Sequence, residues 1–311
     1  MLSEDRIQYF IRKDFNQFKT QNDSELNELL INYFLAPKEN WYTKEDSYIK
    51  WNNRKVRSFW ILIRKYIRMI EENTEWNSFD FENFHFPKFE NNIQHDKKTI
   101  SNSNFWLENE FLEFKRFVTF DNCTFYDFAN FQNTTFKMGA SFRNAKFKGD
   151  VGFNGTSFEL NVYFNYVKFS GQSNFSCSTF KKLANFFEVK FIGSTSFYRC
   201  KFEQDLDLTY AKFLSNSNFS ESRFRGMLQL KQPIFESFVD FSLCEFSDSV
   251  NANEIKTNEK IDFTLARFFG ELNLKGSRFF GETLFVKTEF HKSVFLEDIY
   301  FGTKDRVVFD N

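Results

Sequence analysis

The chain has 311 residues, with 41 Lys+Arg against 42 Asp+Glu, 49 Phe, 3 Pro and 4 Cys. A charge balance this close to neutral gives no whole-chain pointer to nucleic acid or to an acidic mimic of it. So large an excess of one aromatic residue asks for a periodic cause. Met1 to Phe10 is polar and lacks an apolar signal core, and the longest apolar run, Phe59 to Ile63, is too short to span a bilayer. The expectation is a reducing, cytoplasmic setting with no structural disulfides and no transmembrane segment.

In chain order, residues 1–75 read as a helical module. Helix starts are signalled at Ser3-Glu4-Asp5 and Asn22-Asp23-Ser24. The clearest helix runs from about Asp46 to Glu72, where Val56, Phe59, Trp60, Ile63, Ile67 and Ile70 form one apolar stripe. Arg54, Lys55, Arg57, Arg64, Lys65 and Arg68 lie off that stripe. They form either a solvated outer face or a contact for an anionic partner or membrane surface. Residues 76–113 hold a lead-in rung (Trp76, Phe81, Phe86) and a polar loop over 90–104.

From Phe114 onward, steps of six and five residues alternate without slipping to Phe301. The exceptions to Phe are Leu208, Leu230, Ala252, Thr257, Leu274 and Leu296. Two residues before each rung sits a small or apolar residue, such as Cys123, Ala129, Ala140, Ala145, Val151 and Ala184. Side chains at i and i−2 on one side are the period of a strand, and strands of about three residues are expected. Five of the exceptions recur every 22 residues, on the line that begins with Phe120, Phe142, Phe164 and Phe186. A four-sided coil of 22 residues explains this; an 11-residue coil would mix Phe and aliphatic residues in one stack. At Val250 to Glu259 the register survives, with Val250, Ile255 and Ile261 enlarging the i−2 slot where Ala252 and Thr257 shrink the rung. Residues 302–311 remain as a short tail.

The strings Ala145-Lys146-Phe147, Ala211-Lys212-Phe213 and Ala266-Arg267-Phe268 resemble the pentapeptide-repeat family in a Phe-centred variant. The resemblance implies a mainly β fold, a right-handed four-sided β-helix over 114–301. The family includes DNA mimics that bind topoisomerases. Mimicry needs an acidic rod, whereas residues 114–246 carry 16 Lys+Arg and 12 Asp+Glu.

No HExxH, CxxC, Walker, GxGxxG or GxSxG motif occurs. His85, His95 and His291 are dispersed, and Cys123, Cys200 and Cys244 occupy i−2 slots as small core residues, with Cys177 outside that slot. Catalysis, a cofactor and a metal are therefore not expected. A line of cations, Lys146, Lys168, Lys190, Lys212, Lys256 and Arg278, precedes successive rungs, interrupted by Ile234. Stacked coils would set them in a column. Either these side chains fan into water or they form an anion-binding stripe for nucleic acid or an acidic protein. Ile192, Leu214 and Ile234 should be exposed beside them, which favours a protein partner over a phosphate track. The expectation is a cytoplasmic, bacterial interaction or scaffold protein acting through the solenoid, the helical module or both, with a topoisomerase-binding DNA mimic as the alternative. Phe301, Val307 and Phe309 mark a last coil with an apolar, open edge, a candidate surface for a tail-to-tail homodimer.

Overall fold

A computed structural model describes residues 78–80, 85–86, 113–125, 128–302 and 307–309. The helical module with its basic residues, Trp76, Phe81 and the loop over 90–104 lie outside the described residues.

The described chain is a four-sided parallel β-solenoid of about nine coils. Short strands stack into four parallel sheets, two of ten strands and two of nine. In chain order we call these faces 1 to 4. Face 1 runs from Ser78–Asp80 to Val294–Phe295, and face 2 from His85–Phe86 to Tyr300–Phe301. Face 3 runs from Ala129–Asn130 to Val307–Val308, and face 4 from Glu113–Phe114 to Glu289–Phe290. Nearly all the strands are two residues long rather than three, because the corner turns take up the rest of each five- or six-residue step. Among the described residues there is no helix.

The 22-residue coil is present. Phe158 pairs in register with Phe136 and Phe180, and its ring stacks on theirs at 5.0 Å on each side. Neighbouring stacks meet edge to face, as for Phe142 and Phe153 at 5.5 Å, so parallel and T-shaped contacts alternate through the core. Phe rungs from Phe114 to Phe279 are almost completely buried. Each contributes roughly 1.5–3 kcal/mol by area, an upper bound because the unfolded chain already hides some surface. The aliphatic line behaves as expected: Leu208, Leu230, Ala252 and Leu274 are buried on face 1, and only Leu296, in the last coil, is exposed. Val250, Ile255 and Ile261 are buried around Ala252 and Thr257.

The alternating step lengths have a local cause. Five-residue steps follow the rungs of faces 1 and 3, and each contains a residue with positive φ two positions after the rung. The set runs from Asn122, Asn133, Asn144 and Gly155 through Tyr166, Glu188 and Leu243 to Asp298, one every 11 residues. A hydrogen bond from three residues on closes the turn, as from the Cys123 amide to the Phe120 carbonyl at 3.2 Å. A left-handed third position is the demand of a type II turn. The six-residue steps, at the corners from face 2 to 3 and from face 4 to 1, bend without such a turn.

At its ends the solenoid departs from strict periodicity. Phe86 pairs with Phe125, a spacing of 39 rather than 22. At the other end Val307–Val308 pairs with Thr283–Leu284, a spacing of 24, and Phe309 stacks on Phe285 at 5.1 Å. Part of the tail therefore extends face 3 by one strand.

Candidate functional site: a cationic face

The outward residue just before each rung does two different jobs. On faces 1 and 3 it is mostly Asn, Asp, Ser or Thr, and its side chain accepts the amide two residues on. Asn174 takes Ser176 N at 2.9 Å, Asp207 takes Thr209 N at 2.9 Å and Asp240 takes Ser242 N at 2.8 Å. These side chains cap the tight turn that follows. Faces 2 and 4 lead into the longer corners and need no cap, so charged residues are free to occupy that position there.

Face 4 largely neutralises its charges between coils. Lys137 pairs with Glu113 at 3.7 Å, Lys181 with Glu159 at 2.6 Å, Arg267 with Glu245 at 2.9 Å, and Arg225 with Glu203. The hydrogen bond from Lys181 holds the Glu159 carboxyl below its ordinary pKa. Lys201 and Arg223 are like-charged cross-strand neighbours there.

Face 2 is built the other way. Lys146, Lys168, Lys190 and Lys212 are direct cross-strand neighbours, all exposed, and none makes an ion pair among the described residues. The rings beneath them stack at 5.0 Å (Phe147 to Phe169) and 4.9 Å (Phe169 to Phe191, and Phe191 to Phe213), which sets the spacing of the column. The column continues through Ile234, Lys256 and Arg278 to Tyr300. Lys256 is half-buried, its ammonium 6.0 Å from the Phe280 ring, and Phe280 in turn lies 5.5 Å from Tyr300.

One position after the rungs runs a second column, Lys148, Ser170, Ile192, Leu214, Glu236, Asn258 and Phe280. Backbone bonds such as Leu214 N to Phe191 O at 2.9 Å keep it in register. Leu214 and Phe280 are exposed as large apolar side chains. Ile192 and Ile234 were expected to be exposed but are half-buried, because coils 5 Å apart let neighbouring side chains cover them. The apolar cluster is thus a low floor with Leu214 standing out of it.

Beside this column, along the corner between faces 2 and 3, runs a groove of 470 Å³. Gly171, Gly193, Ser215 and Ser237 line it at 22-residue intervals, with Leu214 at its edge. A Cβ on Gly193 would collide with the backbone of Gly171 in the coil below, so the closeness of the coils keeps this corner bare.

Among the described residues, the buried thiols read as structural. The Cys200 and Cys244 thiols are buried, donate to the carbonyls of Phe175 and Phe219 at 2.9 and 3.0 Å, and are pushed far up in pKa by burial. Cys123 is buried and Cys177 exposed. His291 is exposed, 3.3 Å from Glu289 and stacked on Phe269. Among the described residues no group of three His, Cys, Asp or Glu is placed to hold a metal ion, and no helix is long and apolar enough to cross a membrane. At the last coil, Phe301 and Val307 are half-buried and Phe309 is 66% exposed.

The turn positions are the feature that sequence reading missed. Asn122, Asn133, Asn144 and Gly155, spaced by 11, were its signal.

Residues 113–157 and 186–232 match the family model described as pentapeptide repeats (9 copies). In comparisons with curated proteins and with solved structures, nothing matched the chain. The 22-residue four-sided coil and the repeat match together are consistent with a pentapeptide-repeat protein.

Proposed function

We propose that this chain is a non-enzymatic interaction protein that binds an anionic macromolecular partner through face 2. The observation that carries this reading is the contrast between two opposite faces of the coil. Like charges directly opposite on adjacent strands cost stability, and face 4 mostly avoids that cost by alternating acids and bases between coils. Face 2 accepts it over four successive lysines. An anion laid along the column would relieve the repulsion. Acidic mimicry of nucleic acid is not favoured, since among the described residues no outward column is acidic throughout. The test is the charge reversal Lys168→Glu, Lys190→Glu, Lys212→Glu, with poly-L-glutamate as the probe in a fluorescence titration. Intact chain should bind in a salt-sensitive way and the reversed chain should not. Equal binding by both, at low and high salt, would remove the proposal.

A further inference from the structure

We infer that the partner presents an acidic amphipathic α-helix, lying along the solenoid axis with its carboxylates on the lysine column and its apolar edge on Leu214 and Ile234, beside the trough. This inference rests on the anion-binding reading of face 2 and names the partner's chemistry.

Spacing comes first. The column advances about 4.9 Å per lysine, as the rings beneath it do. A helix places same-face residues roughly 5.4 Å apart per turn. Over three steps the two rows drift by only ~1.5 Å, which flexible lysine stems absorb. Same-face residues of an extended strand recur every ~6.7 Å, so by the fourth lysine a strand would be out of step by about a whole coil. Duplex phosphates recur at ~3.4 Å along each strand and drift by a similar amount the other way.

Shape comes second. The groove between faces 2 and 3 runs parallel to the column, because its lining residues recur at the same 22-residue interval. It is a straight trough suited to a rod and floored by glycine and serine. Asp150 lines it, but its carboxylate already accepts the Gln172 amide at 2.7 Å.

Polarity comes third. The face is uneven from end to end. Lys146, Lys148, Lys168 and Lys190 dominate the first coils, whereas Ile192, Leu214, Ile234 and Phe280 enter over the later ones. A phosphate backbone has nothing to place against aliphatic side chains, and Glu236 would repel it. A helix whose acidic stripe gives way to Leu or Ile on an adjoining face satisfies both halves. Its direction follows from this order, with the acidic turns over Lys146 to Lys212 and the apolar anchor over Leu214 and Ile234.

Three probes against the full chain test this. The first is a helix-forming peptide with Glu on successive turns of one face and Leu at two adjoining positions. The second has the same composition with the Glu residues dispersed around the helix. The third is a 15-nucleotide oligothymidylate. The striped peptide should bind at least ten-fold more tightly than either other probe. Lys168→Glu, Lys190→Glu, Lys212→Glu should abolish that binding, and Leu214→Ser with Ile234→Ser should weaken it several-fold while leaving oligothymidylate unaffected. Circular dichroism checks each variant's fold, and the single change Lys190→Gln, expected to weaken the striped peptide measurably, replaces the triple one if that fails to fold. Equal binding of the two peptides, lost together on charge reversal, would overturn the helix and leave the anion-binding face standing. Tighter binding of oligothymidylate would also overturn the helix. Binding indifferent to the lysine changes for every probe would remove both proposals.

Discussion

At the scale of single residues, two positions in the solenoid are held against their own chemistry. Thr257 replaces a Phe rung, is completely buried, and its hydroxyl has no hydrogen-bond partner. An unsatisfied buried hydroxyl costs about 1–3 kcal/mol. Thr257→Val keeps the shape and removes the polar atom, so chemical denaturation should show a gain of about 1 kcal/mol; a loss would mean that the hydroxyl is satisfied. Leu243 sits at a turn position with φ of 58° and is 51% exposed. A left-handed L-residue costs about 1–2 kcal/mol, against the roughly 0.5–1 kcal/mol of extra entropy that glycine loses on folding. Leu243→Gly should therefore leave stability unchanged or raise it by up to about 1 kcal/mol. A marked loss would show that the leucine packs in a way its exposure conceals.

At the scale of the coil, the repeat was readable because one rung line changes identity. Leu208, Leu230, Ala252 and Leu274 fall every 22 residues on one line and are buried in one stack, so sequence spacing alone separated a four-sided coil from a two-sided one. The turns were harder. Asn122, Asn133 and Asn144 announce left-handed positions, but Tyr166, Glu188 and Leu265 in the same two turn columns do not. There the stacked neighbours impose the backbone, and local propensity loses to tertiary register. The depth of the half-buried Ile192 and Ile234 was equally hidden, since cover comes from coils 22 residues away. Stacking also sets the cost of damage. Phe180 touches Phe158 at 5.0 Å and Phe202 at 4.7 Å, so Phe180→Ala should cost about 3–5 kcal/mol. An unchanged unfolding midpoint would contradict the buried ring stack.

At the scale of the whole molecule, a solenoid is as stable as the sum of its coils and their contacts, and its open ends are its exposed points. The last described coil presents Phe295, Leu296, Tyr300 and Phe309, all exposed, beside the strand edges of Glu289–Phe290 and Val307–Val308. Two such ends meeting about a two-fold axis would cover both. Light scattering on the 311-residue chain should give a dimer that Phe309→Asp with Phe301→Asp converts to monomer; a monomer at every concentration would contradict this.

On the proposed function, face 2 keeps its lysine column at a cost to stability because the column binds an anionic partner. Replacing Lys168, Lys190 and Lys212 with Thr removes three like-charged contacts and supplies a residue suited to strands. The most direct measurement is the free energy of unfolding of this variant at low and high salt. The variant should gain about 1 kcal/mol at low salt, and the gain should shrink as salt screens the repulsion in the intact chain. A variant no more stable than the intact chain at low salt would contradict this reading, since the column would then carry no stored repulsion for a partner to relieve.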